Sequence, residues 1–235
     1  MNLRRAAVAT PRYRAIVWDL DSTLVDPRAD MRNAARETLR HFGGLPGDDR
    51  SLLGFAGGRR AFFANVLPHL NGRLGEAVAF YNAWYHAHCL DRTTLIPGVL
   101  DTVTALYAAG LPQAVFTNNH QPDAERIVEG LGLRACFACI LGAESGFPRK
   151  PDPTGMHHLL GQMRVSSPDA LMIGDGLIDV EAAQRARMDC ALVENGYASD
   201  ATLQTRLSQI GLDLRRPAGR LRFTFPELRT FLLPT

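Results

Sequence analysis

Four cysteines in 235 residues are too few to staple a fold of this size, so a disulfide framework is excluded and the thiols are expected to be reduced. Cys136 and Cys139 stand in a Cys-x-x-Cys arrangement without the second pair or the spaced histidines that a zinc site needs. Burial as small apolar side chains is the plainer reading of both. Long apolar runs are missing too: no stretch approaches the ~18 residues of a membrane span. Arg4-Arg5 precedes the short run Ala6-Ala7-Val8-Ala9, which falls well below the ~7–15 apolar residues of an export signal. A cytoplasmic protein that engages no membrane is expected. Nor is there an excess of one charge sign, since 26 Lys+Arg against 24 Asp+Glu leave a net charge of +2. Arginines gather mildly near the two ends, at Arg4, Arg5, Arg12 and Arg14 and at Arg215, Arg216, Arg220 and Arg222. Charge near chain ends is commonly solvated, so no nucleic-acid partner is expected. Disorder is equally disfavoured, because 46% of the residues are hydrophobic and only 21% charged.

What the chain does have is a series of short apolar runs. Ala15–Trp18, Gln113–Phe116, Cys139–Leu141, Ala170–Ile173 and Cys190–Val193 are the kind that strands buried on both faces show. Helical patterns over 124–131, 155–163 and 178–187 separate the later ones. Strand alternating with helix predicts an α/β fold, a doubly wound parallel sheet with helices on both faces. From Pro27 to Arg92 the rhythm breaks into three helical stretches, 29–42, 59–67 and 75–89, punctuated by Gly43-Gly44-Leu45-Pro46-Gly47 and Pro68-His69-Leu70-Asn71-Gly72. This interval reads as a small α-helical domain inserted after the first strand, leaving 1–26 and 93–235 as the sheet domain. Beyond Asn195-Gly196 the expectation is a helix near Leu203–Ile210, a short strand near Leu221–Phe225 and a closing helix from Pro226.

Polar residues cluster where these strands end. Asp19-Leu20-Asp21-Ser22-Thr23 follows the first run directly, and alternate residues of an extended chain share a face, so Asp19 and Asp21 project together. In open parallel sheets the carboxyl ends of the strands are where ligands bind. Gly174-Asp175-Gly176-Leu177-Ile178-Asp179 places a second acid pair at another strand end. Oxygen ligands from two neighbouring strands suit Mg2+, which takes only one or two protein carboxylates and keeps waters. Phe116-Thr117-Asn118-Asn119 closes a third strand with a hydroxyl and amides, neutral donors suited to phosphate oxygens, and Lys150 lies among Pro148, Pro151 and Pro153, which stiffen its backbone. Each feature alone has an ordinary reading as a cap, a polar turn or a surface lysine. As an ordered set they supply the parts of phosphoryl transfer: nucleophile, acid/base, phosphate clamps and a metal to offset clustered charge.

In this order the motifs Asp19-Leu20-Asp21-Ser22-Thr23, Thr117-Asn118, Lys150 before Pro151-Asp152-Pro153, and Gly174-Asp175 with Asp179 resemble those of the haloacid dehalogenase superfamily. The resemblance covers roughly residues 13 to 195. It is nearest to the phosphoglycolate-phosphatase-like branch, in which a helical cap follows the first motif, and Ile96-Pro97-Gly98-Val99 also looks like that branch. The resemblance implies a Rossmann-like core and a Mg2+-dependent phosphatase acting on a small phosphorylated metabolite, phosphoglycolate-like, sugar phosphate or nucleotide, as a monomer or homodimer. It implies that Asp19 attacks phosphorus, that Asp21 protonates the leaving alcohol and then activates water, and that Thr117, with Asn118, binds phosphoryl oxygens. Lys150 would balance charge, Asp175 would hold Mg2+ with Asp179 in support, and the ion would also touch Asp19 and the backbone carbonyl of Asp21. Ser22 departs from the glycine usual at its position. A carboxylate at Asp21 is a mark of phosphatases and mutases and is absent from the dehalogenating members.

Substrate choice is expected to lie in the insertion. There Gly54-Phe55-Ala56-Gly57-Gly58 delivers Arg59 and Arg60, either as a clamp for a second anionic group or as a solvated helix start. His86 with His88, and His157 with His158, lack the spacing that puts two ligands on one helical face. A β-phosphoglucomutase-type sugar-phosphate mutase would use the same residues. A phosphoaspartate signalling receiver or a non-catalytic binding module stands further off, because receivers normally lack both the large insertion and the acid pair after the lysine.

Overall fold

The computed structural model describes residues 12–45, 52, 58–194 and 222–233. Two compact units emerge, one of residues 1–25 with 95–235 and one of residues 26–94. In the first, strands β1 (Ala15–Trp18), β4 (Gln113–His120), β5 (Cys139–Ala143), β6 (Ala170–Gly174), β7 (Asp189–Val193) and β8 (Arg222–Phe223) form one sheet in the order β5-β4-β1-β6-β7-β8. Every pairing is parallel. Helices α4 (Val99–Ala108), α5 (Gln121–Gly130), α6 (Thr154–Met163), α7 (Leu177–Ala186) and α8 (Phe225–Leu232) complete the unit. Two more strands of two residues each, β2 (Val25–Asp26) and β3 (Thr94–Leu95), pair with one another.

Chain order explains where a site can form. After β1 the sheet grows first to one side, through β4 and β5, and then to the other, through β6, β7 and β8. β1 is therefore flanked by β4 and β6 at the point where the order reverses, and the carboxyl ends of these three strands border one crevice. Period-2 alternation assigns the faces. Ala15, Val17, Ala114, Phe116, Met172 and Leu192 share a buried cluster with Met156, Leu159 and Leu160 of α6 and Val180 and Ala183 of α7. On the other side Trp18 stacks on Phe225 of α8, with centroids 6.2 Å apart, and α8 packs on α4. The indole nitrogen donates to Gln113 Oε1 (3.0 Å), and Gln113 Nε2 donates to the Val103 carbonyl (3.0 Å), so the buried indole and amide both find partners. α6 lies close to β4 because Gly155 has no Cβ; one there would stand 2.7 Å from the Phe116 ring.

Within the second unit, α1 (Arg28–His41), α2 (Gly58–Val66) and α3 (Leu74–His88) pack together, α3 against both others. They occupy the three stretches where helical periodicity is read from sequence. Leu39, Phe63, Tyr81 and Tyr85 are buried. The polar anchor is Asp30, fully buried in the first turn of α1. Its Oδ2 accepts from the backbone N–H groups of Arg92 (3.0 Å) and Thr93 (2.8 Å) and from the Thr93 hydroxyl (2.8 Å). One carboxylate oxygen thus ties the start of the helical unit to its end.

Several expected features lie outside the described residues: the arginines at 4, 5, 215, 216 and 220, the loop 54–57 and the helix near 203–210. The short strand and closing helix near the end are present as β8 and α8. The capping box of α8 pairs the Thr224 hydroxyl with the Glu227 N–H and the Glu227 carboxylate with the Thr224 N–H (2.8 Å).

Asp30→Ala is expected to cost about 3 kcal/mol, because three donors lose a charged acceptor at a buried site. Asp30→Asn, which keeps an acceptor oxygen, is expected to cost less. Urea denaturation of the two variants against the parent chain measures the difference.

Candidate active site

Asp19 is the residue immediately after β1. Its backbone N–H donates to the Ile173 carbonyl (2.8 Å), so the neighbouring strand β6 fixes where its side chain begins. The carboxylate is buried. Lys150 Nζ donates to Asp19 Oδ1 (2.5 Å) and to Asp179 Oδ1 (2.7 Å), and the lysine is itself only 4% exposed. Thr23 Oγ1 donates to the other Asp19 oxygen (3.2 Å). Asp179 is equally committed, since its Oδ2 accepts from the N–H groups of Asp175 (3.2 Å) and Gly176 (3.1 Å) at the head of α7. That carboxylate fits only because residue 174 is glycine: a Cβ there would lie 2.3 Å from Asp179 Cγ.

One oxygen from each of Asp19, Asp175 and Asp179 lies within 4.8 Å of the others. Three carboxylates around one lysine leave an excess of negative charge. Burial pushes the Asp19 carboxyl well above its ordinary range; Lys150 opposes this, and the charges of Asp179 and Asp175 reinforce it. Burial also works to discharge Lys150, but Asp179 and Asp19 outweigh it and hold its pKa above that of an ordinary lysine. A cluster of hard oxygens with unbalanced negative charge fits a Mg2+ ion. Asp19, Asp175 and Asp179 each offer an oxygen to such an ion. The Asp21 carboxylate is not one of these three.

The turn after Asp19 aims Asp21. The Leu20 carbonyl accepts from the N–H groups of Thr23, Leu24 and Val25, and Ser22 N–H donates to Val25 O (2.8 Å). Ser22 adopts the left-handed region at φ 63°, where glycine carries no Cβ penalty and serine does. The departure from glycine is thus accommodated at some cost in backbone strain.

β4 supplies the remaining polar groups at a break in its own ladder, since its register with β5 shifts between Phe116 and His120. Thr117 is buried. Its Oγ1 accepts from the Asn119 N–H (3.1 Å), which leaves the hydroxyl proton to be donated elsewhere, as a phosphoryl ligand requires. The Asn118 side chain, expected to bind phosphate, is engaged by the Lys150 backbone: Nδ2 donates to the Lys150 carbonyl (3.0 Å) and Oδ1 accepts from the Lys150 N–H (2.8 Å). The amide therefore positions Lys150. Asn119, read from the sequence only as a second amide closing this strand, donates from Nδ2 to Asp21 Oδ1 (3.2 Å). Strand alternation carried the signal, because Asn119 lies two residues from Thr117.

Asp19, Asp21, Thr117, Lys150, Asp175 and Asp179 all belong to the sheet unit. Arg59 and Arg60 lie on α2 of the helical unit. Arg59 Nη1 donates to Asn82 Oδ1 (2.6 Å), and its guanidinium sits over the Tyr81 ring at 4.9 Å, a cation–π contact. Arg60 is exposed.

With this geometry in view, comparison with known proteins gives a consistent answer. A sequence model of the haloacid dehalogenase-like hydrolases matches residues 16–193. The phosphoglycolate phosphatase of Chromobacterium violaceum is 32% identical over 202 residues, covering 83% of this chain and 91% of that protein. Its namesake in Rhodospirillum rubrum is 31% identical over 201 residues, covering 80% and 82%. A haloacid dehalogenase-like hydrolase of Streptococcus pneumoniae shares the fold, with a TM-score of 0.79 at 24% identity over 94% of this chain and 98% of that one. The chain belongs to the haloacid dehalogenase-like hydrolases. Within that family it is a phosphatase of the phosphoglycolate-phosphatase-like branch. Among the described residues no helix is long and apolar enough to cross a membrane.

Lys150→Met strands two buried carboxylates and is expected to cost about 3 kcal/mol. The double variant Lys150→Met/Asp19→Asn is expected to recover part of that loss. Thermal unfolding of the metal-free proteins measures the coupling, and simple additivity of the two substitutions would contradict the ion-pair account.

Proposed function

We propose that this phosphatase hydrolyses a small phosphomonoester through an aspartyl phosphate on Asp19. The observation that carries the reading is the buried Asp19 carboxylate, held by Lys150 beside Asp175 and Asp179, with Asp21 two residues further on. Asp19 attacks phosphorus while Asp21 gives its proton to the departing alcohol oxygen. Asp21, now a carboxylate, takes a proton from water as that water attacks the phosphorus, releasing phosphate and regenerating Asp19. Thr117 donates to the phosphoryl oxygens, and Lys150 offsets charge between them and Asp19. A bound Mg2+, held by Asp19 and Asp175, would balance the negative charge that builds up when phosphate enters beside three carboxylates.

The Chromobacterium violaceum and Rhodospirillum rubrum relatives are phosphoglycolate phosphatases, so phosphoglycolate heads the candidate substrates, with sugar phosphates and nucleoside monophosphates behind it. A phosphate-release screen over these three classes, with and without Mg2+, tests the reading. Asp19→Asn is expected to abolish release while the protein stays folded by circular dichroism. Unchanged turnover in that variant would overturn the nucleophile assignment. Chelation is expected to stop turnover and added Mg2+ to restore it; activity that survives thorough metal removal would overturn the role given to Asp175. Conversion of a hexose 1-phosphate to the 6-phosphate without free phosphate would make the enzyme a mutase.

A further inference from the structure

We propose that Asn119 is the positioning residue for Asp21: its amide holds one carboxylate oxygen and so selects the other as the oxygen that exchanges protons with substrate and water. The inference rests on the reading of Asp21 as acid and base. It goes beyond that reading by naming what aims the carboxylate.

Asn119 is 5% exposed and lies in the irregular segment of β4. Its orientation is set by backbone, because Oδ1 accepts from the His120 N–H at 2.8 Å. The reverse assignment would place an NH2 group against that N–H, donor against donor. Nδ2 is therefore the atom that must face Asp21, and it lies 3.2 Å from Asp21 Oδ1, within hydrogen-bond range. A primary amide nitrogen only donates, so the oxygen it faces has to accept. A protonated oxygen is the weaker acceptor, so this donor on Oδ1 favours the proton of a neutral Asp21 on the other oxygen, Oδ2. A second tie steadies the arrangement, since the Asn119 N–H donates to Thr117 Oγ1 (3.1 Å). The residue that contacts phosphate and the residue that aims the acid are thus joined through one stretch of backbone. Asn119 touches no reacting atom in this scheme.

In the first half-reaction the P–O bond to the alcohol breaks, its electron pair goes to the ester oxygen, and the proton on Asp21 Oδ2 moves to that oxygen as Asp19 bonds to phosphorus. In the second half-reaction Oδ2 takes a proton from water, the water oxygen bonds to phosphorus and the Asp19–phosphorus link breaks. No proton is gained or lost over the cycle.

Two leaving groups separate this role from a merely structural one. An alkyl alkoxide needs protonation to depart, whereas p-nitrophenolate leaves unprotonated, so a misaimed acid slows the first far more than the second. The experiment is rapid-quench measurement of the transfer step, read as the burst of released alcohol, with p-nitrophenyl phosphate and with phosphoglycolate or whichever alkyl phosphate the release screen ranks first. For Asn119→Ala the ratio of alkyl to aryl transfer rates is expected to fall by about tenfold or more. Asn119→Asp keeps the acceptor for the His120 N–H but sets an acceptor against Asp21. It is expected to fold like the parent by thermal melting and to show a similar or larger fall. Equal losses with both substrates, or an unchanged ratio in Asn119→Asp, would overturn the proposal. Asp21→Asn is the third arm and is expected to split the two substrates more strongly than either. If Asp21→Asn splits them and the Asn119 variants do not, the positioning role fails alone. If Asp21→Asn fails to split them, the acid assignment itself is wrong, and the positioning role falls with it.

Discussion

One ammonium group, buried and donating to two carboxylates, is the constraint on which the site depends. Lys150 arrives on the loop after β5, Asp19 at the end of β1 and Asp179 in the first turn of α7. Three segments distant in sequence are therefore pinned at one point by charge. Removing such groups from water is costly, and the cost is met only where opposite charges meet at contact distance and the remaining lone pairs are satisfied. Here Asp179 spends its second oxygen on the head of α7, and Asp19 spends its second on Thr23. What is left over is negative charge, and that surplus makes the site receptive to a divalent cation.

The reach of Lys150 is controlled from β4. A reciprocal pair of hydrogen bonds between the Asn118 amide and the Lys150 backbone fixes where the lysine starts, so its chain can span to Asp19 without a mobile loop in between. The register break in β4 makes this possible. Where the ladder to β5 is interrupted, the polar groups of Thr117, Asn118 and Asn119 turn to separate partners: the first accepts from the Asn119 N–H, the second holds the lysine loop and the third holds Asp21. Neighbouring residues of the same polar character thus do different work, and only their surroundings distinguish them.

Much of the fold is legible in the chain because a parallel sheet buried on both faces demands short continuous apolar runs, and these are unmistakable between polar loops. β1 is found at its observed bounds for that reason. β4 runs on to His120, past its last apolar residue, since hydropathy cannot follow a strand into its polar end. The two-residue strands β2 and β3 carry no pattern long enough to detect. The acid pairs are legible because their spacing from strand ends is fixed by the turn each must make. Asn118 and Asn119 are not separable in the same way, and the position that contacts Lys150 was expected to contact phosphate.

By itself, the sequence determined which residue types stand at which strand ends, because hydrophobic period and turn chemistry are local properties of the chain. It therefore determined the fold class, the family and the acid, hydroxyl and lysine groups. Tertiary structure decided which of these groups touch. That Lys150 bridges Asp19 and Asp179, that Asn118 serves the lysine and that Asn119 serves Asp21 depend on strand order and on a register break between β4 and β5. Both are set by packing between segments far apart in the chain, which no local pattern records.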